Sequence, residues 1–202
     1  MTVVQIANLA LRHLGVTISI GALADFTKEA KACNDWFDVA RDLVTSDREW
    51  TFSTKRAELT LVPGVTPQDY SYAYTVPSEV LHVFRISDGV RVKTVEQSFP
   101  FRLELNAAGE ARYLLTDNDV CTIVYSVSMG GREALLPADF VIAFTYRLAS
   151  LMCVQLMGSG SVAQAEKLEA AYFRMLSRAG ARDMGQGQPD VPPVSEFEAA
   201  RL

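Results

Sequence analysis

The spacing of the apolar residues changes twice along this chain of 202 residues, and those two changes constrain the fold more than any other feature. Before residue 50 the apolar side chains recur every three or four positions, which is the period of an α-helix. From Trp50 they alternate, as in a β-strand, and at Leu136 the helical period returns. The pattern predicts an α+β fold in which N-terminal and C-terminal helical hairpins pack as one helical bundle, with a small antiparallel β-domain inserted between them.

The same changes of period divide the chain into four segments. We predict an N-terminal helical hairpin at 1–49, a β-rich domain at 50–132, a C-terminal helical hairpin at 133–180 and an extended C-terminal arm at 181–202. The two hairpins belong to one bundle, so the chain leaves the bundle for the β-domain and later returns to it.

Polar residues with capping spacing indicate where the helices begin. Thr2 and Gln5 have the spacing of a capping box, as do Ser161 and Gln164, and Thr27 is a suitable N-cap for the second helix. Each of these residues stands just before an apolar stripe of helical period, which predicts four helix starts when the start after Leu136-Pro137 is included.

Alternating residues between turn signals predict the strands of the β-domain, which we expect to form one small antiparallel sheet or barrel. The turn Ser87-Asp88-Gly89 joins two of these strands and predicts a hairpin. The main predicted strands are Tyr70 to Val76, Val80 to Ile86, Val90 to Thr94, Leu103 to Leu105, Tyr113 to Leu115 and Val120 to Val127.

Two aromatic residues stand at the start of the β-domain. Trp50 and Phe52 are two positions apart, so on a strand their side chains would point the same way and cover the end of a helical hairpin. We assign them, with Trp36 and Phe140 from the helices, to the packing between the two kinds of module.

The charge balance argues against tight binding of nucleic acid. The chain has 19 Lys and Arg against 24 Asp and Glu, a net charge of −5, whereas DNA-binding domains usually gather a basic surplus on one face. A mildly acidic surface suits a wall that DNA slides past, although acidic soluble proteins are also common.

The cysteines and the N-terminus indicate a soluble protein inside a cell. Cys33, Cys121 and Cys153 are too widely spaced for a redox pair or a metal motif, so we expect buried thiols in a reducing cytoplasm. The first residues lack the features of a signal peptide, and we expect no membrane anchor because no run approaches about 18 apolar residues.

No group of residues in the sequence indicates a reaction. His13 and His82 lie within apolar patterns, so we expect them in the core or at an interface, and no nucleophile motif accompanies them. If the chain were a hydrolase, the best available combination of residues for its site would be His82 with Asp117 and Asp119. We predict no catalytic residue, no cofactor and no metal site.

The last segment has the composition of an arm. It is rich in Pro and Gly and poor in large apolar residues, so it cannot form its own core. We expect it to dock on a neighbouring subunit or another protein, and the residues we assign to that docking are Val191, Pro192, Pro193, Val194 and Phe197.

Several short segments, in this order, resemble one known family. The chain is similar to tail tubular protein A, the head-to-tail adaptor or connector of short-tailed bacteriophages, over nearly its whole length. The segments that carry the resemblance are Leu14-Gly15, Leu23-Ala24-Asp25, Glu49-Trp50-Thr51-Phe52, Arg56-Ala57-Glu58-Leu59, Tyr72 to Leu81, Leu136 to Cys153 and Ser177 to Asp183.

The resemblance implies a structural virion protein rather than an enzyme. Such proteins form a homo-oligomeric ring, usually a dodecamer, that joins the portal protein to the tail or nozzle protein in the neck of the virion. DNA passes through its central channel during genome ejection, and the subunit is made in the cytoplasm of the host bacterium. A cytoplasmic binding or assembly module of similar fold, or a hydrolase, remains as an alternative.

Overall fold

A computed structural model describes residues 1–65, 67–87, 99–106 and 108–185 of the chain. Four α-helices and two short 3-10 turns lie within these ranges. The turns span Glu133–Leu135 and Ser159–Ser161. The helices are α1 (Val3–His13), α2 (Lys28–Ser46), α3 (Ala138–Met157) and α4 (Val162–Met184).

The predicted caps are confirmed for the first two helices and wrong for the last. Thr2 Oγ1 accepts from Gln5 N at 3.3 Å while Thr2 N donates to Gln5 Oε1 at 2.9 Å, and Thr27 Oγ1 accepts from Ala30 N. Ser161 makes no such bond to α4. Its hydroxyl donates instead to Gly158 O at 2.6 Å, because the preceding residues form a 3-10 turn that brings this carbonyl within reach.

Seven strands lie in the described part of the chain, and they form two antiparallel sheets. One sheet has the order β1-β7-β4 and the other the order β2-β3-β6-β5. The strands are β1 (Thr54–Glu58), β2 (Thr60–Leu61), β3 (Tyr72–Thr75), β4 (Val80–Ser87), β5 (Arg102–Leu105), β6 (Arg112–Thr116) and β7 (Thr122–Val127).

The prediction of one small inserted antiparallel β-domain, formed by a single sheet or barrel, is therefore wrong. Among the described strands the chain changes sheets four times, between β1 and β2, β3 and β4, β4 and β5, and β6 and β7. At the first change Leu59 N donates to Cys121 O at 2.8 Å. Residues of both sheets then share one hydrophobic cluster, which includes Tyr74, Leu114, Val83, Ile86 and Ile123. Two sheets that face each other cover this cluster from both sides, whereas a single sheet would leave one side open to water. Burial of the cluster therefore favours two layers.

Helix α3 is the centre of the helical part, and the predicted N-terminal hairpin is wrong. Helices α1, α2 and α4 each pack on α3, whereas α1 and α2 have little contact with each other. The physical reason is that α3 is apolar over most of its circumference and can cover several neighbours, whereas α1 and α2 each have one apolar stripe. The buried residues of α3 are Phe140, Val141, Ala143, Phe144, Thr145, Leu148, Ala149, Met152, Cys153 and Leu156.

Helix α3 is also long and apolar enough to cross a membrane by length and composition. Its mean hydropathy is 1.6 over the window that passes this test, although Asp139, Arg147 and Gln155 interrupt the helix, so it contains no continuous run of about 18 apolar residues. In this protein 56% of that window is buried against the rest of the chain, and core helices of soluble proteins pass the same test.

Two predicted features lie wholly or partly outside the described residues. The predicted strand at 90–94 lies within 88–98, as do Asp88 and Gly89 of its hairpin turn, and most of the predicted arm lies within 186–202. The beginning of the arm was placed too early, because α4 continues through Ala181 to Met184 instead of ending at Gly180.

The chain enters and leaves the sheets at neighbouring positions. Thr54 of β1 pairs with Ser126 of β7, and Val127 N donates to Ser53 O at 3.1 Å. The two connections to the helices therefore lie side by side, and the residues around them form the place where the helices meet the sheets.

Candidate functional site

The candidate site is this meeting place, which we call the junction: Trp50, Phe52, Phe140 and the ion pairs beside them. The ring centroids of Trp50 and Phe140 are 5.2 Å apart and those of Phe52 and Phe140 are 5.0 Å apart, both in edge-to-face geometry. Trp50 Nε1 donates to Val44 O at 2.8 Å, so its polar atom is satisfied inside the core. The three rings attach the start of the β segment to α3.

The backbone at the junction differs from the prediction. Residues 50–53 form a turn in which Thr54 N donates to Trp50 O at 3.0 Å, so Trp50 and Phe52 do not lie on a strand. The prediction that the two side chains point the same way because they lie on a strand is therefore wrong in its reason. Both rings nevertheless contact Phe140. Trp36 makes a separate contact, because its Nε1 donates to Gln155 Oε1 at 2.8 Å at the other end of α3.

A buried ion pair lies beside the aromatic rings. Arg85 of β4 forms a bidentate ion pair with Glu49, in which Arg85 Nη1 donates to Glu49 Oε2 and Arg85 Nη2 lies 2.9 Å from Glu49 Oε1. The Arg85 side chain is 7% exposed and that of Glu49 is 31% exposed. A cation so deeply buried depends on its partner, so this pair fixes β4 against the segment that follows α2.

Arg41 of α2 forms a second polar contact with the end of the sheet. Its Nη1 donates to Asp38 Oδ1 at 2.6 Å, and its Nε donates to Asp42 Oδ1 at 3.0 Å. Its Nη2 donates to Ser128 Oγ at 3.1 Å, just after β7. A Cβ added to Gly130 would lie 3.2 Å from the guanidinium, so the close approach of this chain segment favours glycine.

The end of α4 closes the junction from the other side. Asp183 is buried and accepts from both Thr51 N at 2.8 Å and Thr51 Oγ1 at 2.7 Å. Arg48 lies across Gly180, where an added Cβ would stand 2.1 Å from the guanidinium. The last turns of α4 are therefore part of the junction. Residues 181–184 of these turns were predicted to belong to the extended C-terminal arm.

The sequence reasoning missed the charged residues of the junction. Arg85 stands in an otherwise apolar strand, and this is a signal that a buried partner is needed. Nothing local indicates that the partner is Glu49, which is 36 positions away. For Asp183 we find no sequence signal, because an acidic residue near a helix end is common on surfaces.

His13 lies between α1 and α3. Its ring stacks on Tyr146 with a centroid distance of 4.0 Å, and its Nε2 lies 3.2 Å from Thr145 Oγ1. The Thr145 hydroxyl lies 2.8 Å from Ile142 O, to which it can donate, and this arrangement favours the tautomer in which His13 Nε2–H donates to Thr145 Oγ1. Burial lowers the pKa of His13 below its usual value, which favours the neutral ring in the folded protein.

We expect His13 to make stability depend on pH. Because its pKa is lower in the folded than in the unfolded chain, the unfolded chain takes up a proton first as the pH falls below about 6.5, and the folded state loses stability. In His13→Gln the amide can still donate to Thr145, so this variant should lose less stability than the wild type between pH 7 and 5. Urea unfolding at several pH values measures the difference. His82→Gln, which removes the exposed histidine, should follow the wild type, and parallel curves for all three proteins would contradict the assignment.

The residues of the hydrolase alternative are not brought together. His82 pairs with Ser126 near one end of β7, whereas Asp117 and Asp119 precede Thr122 at its other end. Four residues along a strand span roughly 13 Å. Asp117 accepts from Ser71 N and Oγ at 2.9 Å, and these bonds join the ends of the paired strands β3 and β6. His82 is exposed and contacts Phe84, so it is not a core residue, and its predicted place at an interface stays a prediction.

The three cysteines are free and buried, as predicted. Burial raises the pKa of Cys33 to about 11, with a smaller contribution from Glu29, and raises the pKa of Cys121 to about 12. Both thiols are therefore protonated at neutral pH and are poor nucleophiles. In the described part of the chain, no group of three or more His, Cys, Asp or Glu residues could hold a metal ion.

No model of a protein family matches the chain, and no curated protein matches it.

Proposed function

We propose that this chain is the subunit of a head-to-tail adaptor ring in a bacteriophage virion. The ring, usually a dodecamer in the family that the chain resembles, joins the portal to the tail or nozzle protein and surrounds the path of the DNA. The subunit acts through its surfaces and carries out no reaction. It is made in the cytoplasm of the host bacterium and resides in the neck of the virion.

The observation that carries this proposal is a line of exposed apolar residues along α4. Val162, Phe173 and Met184 are 51%, 55% and 70% exposed. Each of these residues is eleven positions from the next, and this spacing places all three within roughly 40° of each other around the helix. The members are roughly 17 Å apart along the helix axis, and Glu166 and Glu169 stand between the first two on the same face. They are therefore separate apolar side chains on one face, each of which can enter an apolar site on a neighbouring subunit. We call this line the α4 stripe.

The charge of the chain supports the same function. A net charge of −5 repels phosphates, so a ring of such subunits would let DNA pass without holding it. The predicted arm supplies a further contact to the portal or to the next subunit through Val191, Pro192, Pro193, Val194 and Phe197, all of which lie outside the described residues.

Imaging and mass measurement of the purified full chain test the proposal. We expect closed rings in negative-stain images and a matching mass of about twelve subunits in native mass spectrometry, either for the chain alone or after mixing with a portal ring. A chain that stays monomeric in both conditions would contradict the adaptor and favour a binding module. Turnover of a hydrolysable substrate by the monomer would favour the enzyme.

A pair of variants connects ring formation to the α4 stripe. Phe173→Asp should reduce ring formation and leave the melting temperature of the monomeric chain unchanged, because the side chain is half-exposed in the single chain. Gln164→Asp is a matched control on the same helix, exposed and about 200° around it from Val162. Rings that form equally well from both variants would exclude the stripe as the subunit contact.

A further inference from the structure

A groove lies on the flank of the helical part, where the first turns of α3 meet the last turns of α4. It has a volume of about 230 Å³ and is lined by Asp139, Ile142, Met175, Arg178, Ala179 and Arg182. This is less than the roughly 300–1,000 Å³ of most small-molecule sites. The groove therefore suits one large side chain of a peptide better than it suits a cofactor.

The polar edge of the groove carries a positive charge. Arg182 Nη1 lies 2.6 Å from Asp139 Oδ1, so these two charges compensate each other. Arg178 is exposed and makes no ion pair with any residue in the described ranges. The remaining lining residues are apolar. A fitting occupant is therefore an apolar side chain accompanied by a carboxylate, which can pair with Arg178.

The chain contains such a sequence a short distance beyond the groove. Glu196-Phe197-Glu198 places an aromatic side chain between two carboxylates. This segment lies outside the described residues, and the stretch 186–202 that contains it has three acidic residues and one arginine. Its charge and its single aromatic side chain are complementary to the groove.

The segment can reach the groove of its own molecule. Phe197 follows Gly185, the residue after α4, by twelve residues, which can span up to roughly 40 Å. Arg178 and Arg182 lie only about 5–11 Å back along the helix from Gly185. A tether of this length gives the segment an effective concentration on the order of millimolar at the groove. A second molecule would have to exceed that concentration to compete.

We propose that Glu196-Phe197-Glu198 of the same molecule occupies this groove in the unassembled chain. One of its carboxylates pairs with Arg178, and its aromatic ring lies on the apolar part of the groove. The arm is then held on its own subunit until a partner displaces it. This contact does not require the chain to form a ring, so its failure and the failure of the adaptor function are separate results.

Binding of a labelled peptide tests the proposal on the full-length protein. The probe is a fluorescent peptide with the sequence of residues 190–202, followed by anisotropy. A full chain with Glu196→Gln, Phe197→Ala and Glu198→Gln has an empty groove and should bind the probe. The wild type should bind it about tenfold more weakly if the Kd is on the order of 100 µM, because its own segment competes.

Two arginine variants locate the bound peptide. Added to the triple variant, Arg178→Glu should abolish binding of the probe. Arg174→Glu is the matched control, since Arg174 is an exposed arginine on the same helix that does not line the groove. Equal binding by the wild type and the triple variant, or no effect of Arg178→Glu, would overturn the proposal. The proposal would also be overturned if the wild type competed with the labelled peptide more strongly at higher protein concentration and formed dimers in sedimentation. The segment in the groove would then come from a second copy of the chain.

Discussion

Phe140→Ala should lower the free energy of unfolding by about 3–5 kcal/mol, the usual cost of removing a buried aromatic ring. Phe140 is 1% exposed and its ring contacts Trp50, Phe52 and Phe144. Its removal leaves a cavity where the start of the β segment rests on α3. Urea unfolding followed by tryptophan fluorescence measures this effect, and Trp50 reports directly on the altered environment.

A second phenylalanine serves as the control for this prediction. Phe173→Ala removes the same ring from a half-exposed position on α4, so in the single chain its cost should be well below that of Phe140→Ala. Similar losses in the two variants would show that Phe140 does not carry the junction.

Glu49→Gln should cost about 2–3 kcal/mol, because it leaves the buried charge of Arg85 without its counter-ion. Removing one partner of a fully buried pair costs about 3–5 kcal/mol, and we expect less here because Glu49 is partly exposed. The measurement is again the free energy of unfolding at neutral pH.

Two further variants separate the buried charge from a general loss of an ion pair. Adding Arg85→Met to Glu49→Gln removes the stranded cation and should recover part of the loss. Glu104→Gln breaks the exposed pair with Arg102, whose atoms are 2.9 Å apart, and should cost at most about 1 kcal/mol. If the double variant is less stable than Glu49→Gln alone, the buried charge is not the cause.

Local features of the fold could be predicted from the sequence because their partners are close in the chain. The caps at Thr2 and Thr27 each involve a residue three positions away, and the residue types alone specify them. The period of the apolar residues likewise indicated where most helices and strands lie. The cap at Ser161 failed because a 3-10 turn, which the sequence did not indicate, competed for the hydroxyl.

The arrangement of the elements depends on distant pairs and could not be predicted in the same way. Strands β1 and β2 are separated by Leu59 alone, yet they belong to different sheets. The first pairs with β7, about 70 residues later, and only that pairing decides which sheet it joins. At the junction, the aromatic pair Trp50 and Phe52 indicated burial, while the turn that orients the rings depends on contacts with α3.

The position of α3 in the core has a consequence for the synthesis of the protein. Helices α1 and α2 both rest on α3, whose first residue follows the end of α2 by 92 positions. At a translation rate of about 5–20 residues per second, synthesis of α3 begins about 5–20 s after α2 is complete. During this time the apolar stripes of α1 and α2 have no α3 to pack against. The strands made in this interval can pair among themselves, so the N-terminal helices are not the first part to reach the native packing. A nascent chain stalled before α3 should therefore expose these stripes to the chaperones of the cell that produces it.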